Sequence, residues 1–191
     1  MNRPVLKISY NAPVTLTFCL LCLLALGLGS LTAGWTTANL FSVYRCPLTP
    51  LAFFRFFGHV LGHSGLAHLV GNMGLLLVLG AGLEDRYGSG SLLLAILFTA
   101  LVSGVIHFVF FPGSALLGAS GIVFMMILLS AFGGIRSGTI PLTLIFVIVL
   151  YLGGELWDAI FVRDDVSQLT HIIGGVCGTL IGFWRGARHG G

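Results

Sequence analysis

Long apolar runs, separated by short polar or charged breaks, set the pattern of this chain. The first run extends from Pro13 to Trp35, after Arg3 and Lys7. It is longer than the roughly 7–15-residue core of a secretory leader, which predicts an uncleaved first membrane span. A polar stretch, Thr36 to Pro50, follows. Leu51 to His59 is aromatic-rich but interrupted by Arg55, so it reads as an interfacial segment rather than a span. Further spans are predicted at Gly65–Leu83, Ser91–Phe111, Leu117–Phe132, Ile140–Trp157 and Leu169–Trp184. The breaks between them carry Glu84-Asp85-Arg86, Pro112-Gly113, Gly133-Gly134-Ile135-Arg136 and the charged stretch Asp158 to Asp165.

Composition agrees with that pattern. Of the 191 residues 57% are hydrophobic and only 8% charged, and the mean hydropathy is +1.04. A soluble domain carries roughly 25% charged residues. The bilayer must therefore be the solvent for most of the chain, and spans of about 20 residues each use most of its length. The expected fold is all-α: a polytopic six-helix membrane domain over 13–184, preceded by a cytoplasmic segment, 1–12, and followed by a cytoplasmic tail, 185–191. The small net charge of +3 is scattered, which argues against a nucleic-acid partner. With the N-terminus inside, Arg3, Lys7, Arg86, Arg136, Arg185 and Arg188 are cytoplasmic, against Arg45, Arg55 and Arg163 outside. That bias favours both termini in the cytoplasm of a multi-pass protein of the cell membrane.

Ionisable and polar groups inside a span are costly and mark function. The second, fourth and sixth spans share one direction. Each has its polar residues near the outer end: His68 and Asn72, Ser120, and His171. Shared direction puts these four at one depth. Gly174, Gly178 and Gly182 form overlapping G-x-x-x-G steps that let backbones approach closely, and Gly118 and Gly121 flank Ser120. Such packing would bring Ser120 and His171 together as nucleophile and general base. Pro112 to Leu117 reads as a helix-breaking approach, which would leave Ser120 in the first turn of a helix whose free N–H groups favour a developing anion. His68 and Asn72, at i and i+4, share one face and are candidate oxyanion donors. No acidic residue lies near His171 in any span, so the site is a dyad.

These residues resemble the rhomboid family of intramembrane serine proteases. The matching pieces are Phe54-Arg55, His68-x-x-x-Asn72, Glu84-x-Arg86-x-Gly88-Ser89, Gly118-Ala119-Ser120-Gly121 and His171-x-x-Gly174-x-x-x-Gly178, in the family's order. The resemblance covers about residues 50 to 184. It implies that Ser120 attacks a peptide carbonyl with His171 as its base, and that His68, Asn72 and the Ser120 N–H, with Gly118 in support, meet the oxyanion. It implies single-span membrane proteins as substrates. Phe124 stands where many members have Tyr, Thr170 where Ala is common, and Phe54 where Trp is common. These departures touch substrate preference more than catalysis.

Other readings carry less. Cys19 and Cys22 form a C-x-x-C inside an apolar run and read as small core side chains. His59, His63 and His68 lack a carboxylate or cysteine to complete a metal site, so no metal or other cofactor is expected; a hydrogen-bond network below the first loop fits them better. Ser103 and His107, also i and i+4, read as support for the site or as packing. The loop of Glu155, Asp158, Asp164 and Asp165 is a solvated face and, with the fifth span, a candidate substrate gate. A non-catalytic relative that binds membrane segments is the alternative function; a transporter would show midplane polar residues and inverted repeats. Substrate identity and oligomeric state are not encoded legibly.

Overall fold

The structure, a computed structural model, describes residues 8–135, positions 142, 145, 146, 149 and 150, and residues 165–188. Helix α1, Pro13–Leu31, opens on a proline, whose missing N–H would have no helical partner there. Gly34, at φ 85°, turns the chain into the short α2, Trp35–Asn39. Helix α3, Pro50–Gly58, starts behind Thr49, whose hydroxyl accepts the Ala52 N–H, and runs into a 3₁₀ turn at His59–Leu61. Helices α4, Leu66–Tyr87, and α5, Ser89–Phe110, are joined at Gly88, whose φ of 81° suits glycine. Helix α6 spans Ser120–Ile135 and α7 spans Asp165–Arg188.

The elements follow the expected pattern with displaced ends. Helix α6 begins at Ser120, not at Leu117, because residues 116–118 are held extended and turned by contacts described below. Helix α7 begins at Asp165, ahead of the expected Leu169. The predicted fifth span and the gate loop lie mostly outside the described residues, as do Glu155, Asp158 and Asp164. Within that span Leu142, Ile145, Phe146, Val149 and Leu150 are helical and exposed. Their spacing of three and four puts them on one helix face.

Helices α1, α4 and α5 are each long and apolar enough to cross a bilayer. Only 28% of the apolar window of α4 is buried within the protein, so most of its apolar surface faces outward. Leu20, Leu24, Val78, Leu94, Ile172 and Leu180 are all exposed. A water-soluble protein rarely leaves so much apolar surface uncovered; in lipid that surface is at home. This is a membrane protein.

The core centres on α6, whose Ile122, Val123, Met125 and Met126 are fully buried and which touches α4, α5 and α7. Its pairing with α7 is the most extensive among the described helices. Glycines explain it: a Cβ on Gly174 would overlap the Gly121 carbonyl, and one on Gly178 the Met125 carbonyl. The backbones touch directly.

The first loop is fixed by a different device. Arg55 is buried, with Nε–H donating to the Asn39 carbonyl at 2.7 Å, Nη1 3.4 Å from Cys46 Sγ and its guanidinium over the Tyr44 ring. A small cluster of Val43, Phe56, Phe108 and Leu116 ties α3 and the loop to the end of α5.

At the opposite end of α4, Glu84 caps α1. Its carboxylate accepts from Val14 N–H at 2.8 Å, Thr15 N–H at 2.9 Å and the Thr15 hydroxyl at 2.8 Å. The N–H groups of a first helical turn have no carbonyl of their own, and a negative charge there also meets the positive end of the helix dipole. Glu84→Ala is expected to lower stability by about 2–4 kcal/mol, read as the thermal unfolding midpoint in detergent. An unchanged midpoint would refute the cap.

Candidate active site

Ser120 is the first residue of α6. Val123 N–H donates to the Ala119 carbonyl at 3.0 Å, which makes Ala119 the cap. The N–H groups of Ser120, Gly121 and Ile122 then have no intrahelical acceptor and lie at the positive end of the helix. A nascent anion at Ser120 would meet that field.

The approach to Ser120 is pinned along its length. His107 Nε2–H donates to the Ser114 carbonyl at 3.2 Å. Leu116 and Val43 exchange two backbone hydrogen bonds, of 2.9 and 3.0 Å, as an antiparallel bridge. Gly118 N–H donates to the His59 carbonyl at 2.9 Å. Gly118 has φ 122°, a region L-residues avoid. These contacts delay the helix to Ser120.

Helix α4 supplies the second side. The His68 imidazole lies against Gly118: a Cβ there would stand 2.9 Å from His68 Cε1 and Nε2. One turn on, Asn72 is buried, and its Nδ2 has no hydrogen-bond partner among the described residues. A buried donor without an acceptor is costly, and an anion at this end of α6 would relieve it.

Helix α7 supplies the third side. His171 is 5% exposed and stacks on Phe124, with ring centroids 4.3 Å apart and planes at 11°. Phe124 follows Ser120 by four residues, so both lie on one face of α6. The preceding Thr170 packs its methyl 3.0 Å from where a Gly121 Cβ would stand. His171, Gly174 and Gly178 thus share the α7 face turned to α6. The Phe124 ring is the surface on which the imidazole rests.

The histidines that follow α3 each hydrogen-bond to a different partner. His59 is fully buried, with Nδ1 3.2 Å from the Arg55 carbonyl and Nε2 3.3 Å from Ser103 Oγ. His63 is also buried and meets Leu61 O through Nδ1 at 3.1 Å. Among the described residues no three His, Cys, Asp or Glu side chains converge as metal ligands. Burial pushes His59 down to about 4, from an ordinary value near 6.5. The folded state therefore favours the neutral ring. The stabilisation is present above about pH 6.5 and is lost as pH falls toward 4, a change of about 3 kcal/mol. The unfolding midpoint should drop over that range, and His59→Gln should reduce the drop without abolishing it, since burial pushes His63 down to about 4 as well. A pH-independent midpoint in the native sequence would contradict this.

The chain has relatives among known proteins. The Rhomboid domain matches residues 50–188, a span that holds His68, Asn72, Ser120 and His171 together. The chain belongs to the rhomboid family. It is 30% identical to Rhomboid-related protein 2 of Mus musculus over 154 residues, 72% of this chain and 50% of the mouse protein. It is 30% identical to Rhomboid-related protein 1 of Caenorhabditis elegans over 138 residues, 68% of this chain and 39% of that protein. The chain therefore spans half or less of the length of these relatives. Two contacts in this rhomboid fold carry little sequence signal, although Glu84 itself belongs to the Glu84-x-Arg86-x-Gly88-Ser89 motif. The Glu84 cap joins residues about 70 positions apart, and Ser64 is a lone loop serine whose only hint is its place four residues before His68.

Proposed function

We propose that this rhomboid is an intramembrane serine endopeptidase that hydrolyses peptide bonds in or beside the spans of single-span membrane proteins. Ser120 is the nucleophile and His171 its general base. The supporting observation is the position of His171: buried, flat against Phe124, on the α7 face that glycines bring into backbone contact with α6. His171 takes the hydroxyl proton as Ser120 Oγ bonds to the carbonyl carbon. The resulting oxyanion meets the Ser120 N–H, His68 and Asn72, with Gly118 shaping the loop beneath it. His171 then gives its proton to the departing amine, and water cleaves the acyl-enzyme by the same route in reverse. A dyad suffices, since Phe124 and the packing of α7 orient the base. The protein works in the lipid bilayer of the cell membrane, with both termini cytoplasmic and the Ser120 end facing out.

The test is reconstitution in liposomes with a labelled single-span substrate. Cleavage by the native sequence that Ser120→Ala and His171→Ala remove supports the reading. Substrate binding without cleavage, equal in all three proteins, would instead assign a non-catalytic binder of membrane segments.

A further inference from the structure

Ser64 lies in the loop between the 3₁₀ turn and α4. Its hydroxyl is 3.1 Å from His68 Nδ1, and its backbone N–H donates to the same nitrogen at 3.5 Å. A backbone N–H can only donate, so Nδ1 presents a lone pair. A neutral ring must then carry its single proton on Nε2. The Nε2 edge faces the loop that ends in Ser120, 2.9 Å from where a Gly118 Cβ would stand. In the other tautomer Nε2 would aim a lone pair at that loop and repel an anion formed there. His63 does not set the tautomer. Its ring meets His68 edge to face, with centroids 4.9 Å apart, and its Nε2 has no hydrogen-bond partner among the described residues.

We infer that Ser64 is a positioning residue that holds His68 as the Nε2–H tautomer, so that His68 donates to the oxyanion at Ser120. The inference rests on the protease reading. Its effect belongs to the transition state, where the oxyanion exists, and so to kcat rather than KM. The split is informative because Ser64 also lines a cavity of about 670 Å³ with Asn39, Tyr44 and Leu117. A residue that served only as a wall of that cavity would alter KM.

The experiment is a double-mutant cycle on the full chain in detergent, with a single-span substrate and Ser120→Ala as the blank. Ser64→Ala removes the closer of the two contacts to Nδ1 and leaves the backbone N–H at 3.5 Å, so it is expected to lower kcat about tenfold, less than the ~10²–10³ for outright loss of an oxyanion donor, with KM unchanged. Ser64→Thr, which keeps the hydroxyl, should restore kcat. In a His68→Ala background Ser64→Ala should have no further effect. An equal drop in both backgrounds, a change confined to KM, or no rescue by threonine would overturn the inference. Nitrogen NMR of histidine-labelled protein, with His68 assigned by its loss in His68→Ala, reads the tautomer without any activity. A proton on Nδ1 of the native His68 would also overturn the inference. Absence of Ser120-dependent cleavage together with an Nε2–H ring would instead fault the protease reading alone.

Discussion

Ser120→Ala is expected to reduce substrate cleavage to the uncatalysed background, and His171→Ala to do the same. The expected loss is at least about 10⁴-fold for each, because a nucleophile and its base act as one unit. For the same reason the double variant should be no worse than either single one. The site supports so large an effect because His171 and Asn72 are buried and His171 is held flat against Phe124. His171 and Asn72 are each 5% exposed, so water competes little for the groups that would meet the reacting carbonyl. Both substitutions remove atoms without adding any, so the fold should persist, and the unfolding midpoint provides the check. Cleavage that survives either change would sink the dyad, and additive losses would show that the two residues do not act together.

Much of this site is legible in the sequence because membrane spans impose direction and depth. Three runs expected to share one direction, each with a polar residue near the same end, point to His68, Asn72, Ser120 and His171 as neighbours. The glycine steps after His171 likewise signal close helix packing before any contact is seen. Helix ends are less legible. The apolar run containing Ser120 begins at Leu117, but the helix does not, because the start is set by partners distant in sequence. Val43 pairs with Leu116, and the His59 carbonyl takes the Gly118 N–H. Glu84 reads as a charge that ends a span, whereas its partners are the first N–H groups of α1. Hydrophobic periodicity contains no record of such pairings. The tautomer of His68 is hidden for a further reason, since it depends on the hydroxyl and the backbone N–H of a single loop serine.

A graded series of glycine substitutions should have the largest effect on the fold itself. Gly174→Ala and Gly178→Ala are expected to destabilise the protein by about 3 kcal/mol or more. Each new methyl would overlap a main-chain carbonyl, Gly121 or Met125, and main chain inside a helix cannot rotate aside. Relief requires α6 and α7 to separate, which lifts His171 from Phe124, so activity should fall with stability. Gly121→Ala should be milder, because its methyl would meet the Thr170 Cγ2 at 3.0 Å, a side chain able to shift by a few tenths of an ångström. Gly82→Ala on the exposed face of α4 meets nothing within 4 Å. It should be neutral or stabilising by up to about 1 kcal/mol through helix propensity. Thermal unfolding in detergent gives the order directly. A series in which Gly82→Ala costs as much as Gly174→Ala would mean that backbone contact between α6 and α7 does not hold the two helices, and with them Ser120 and His171, together.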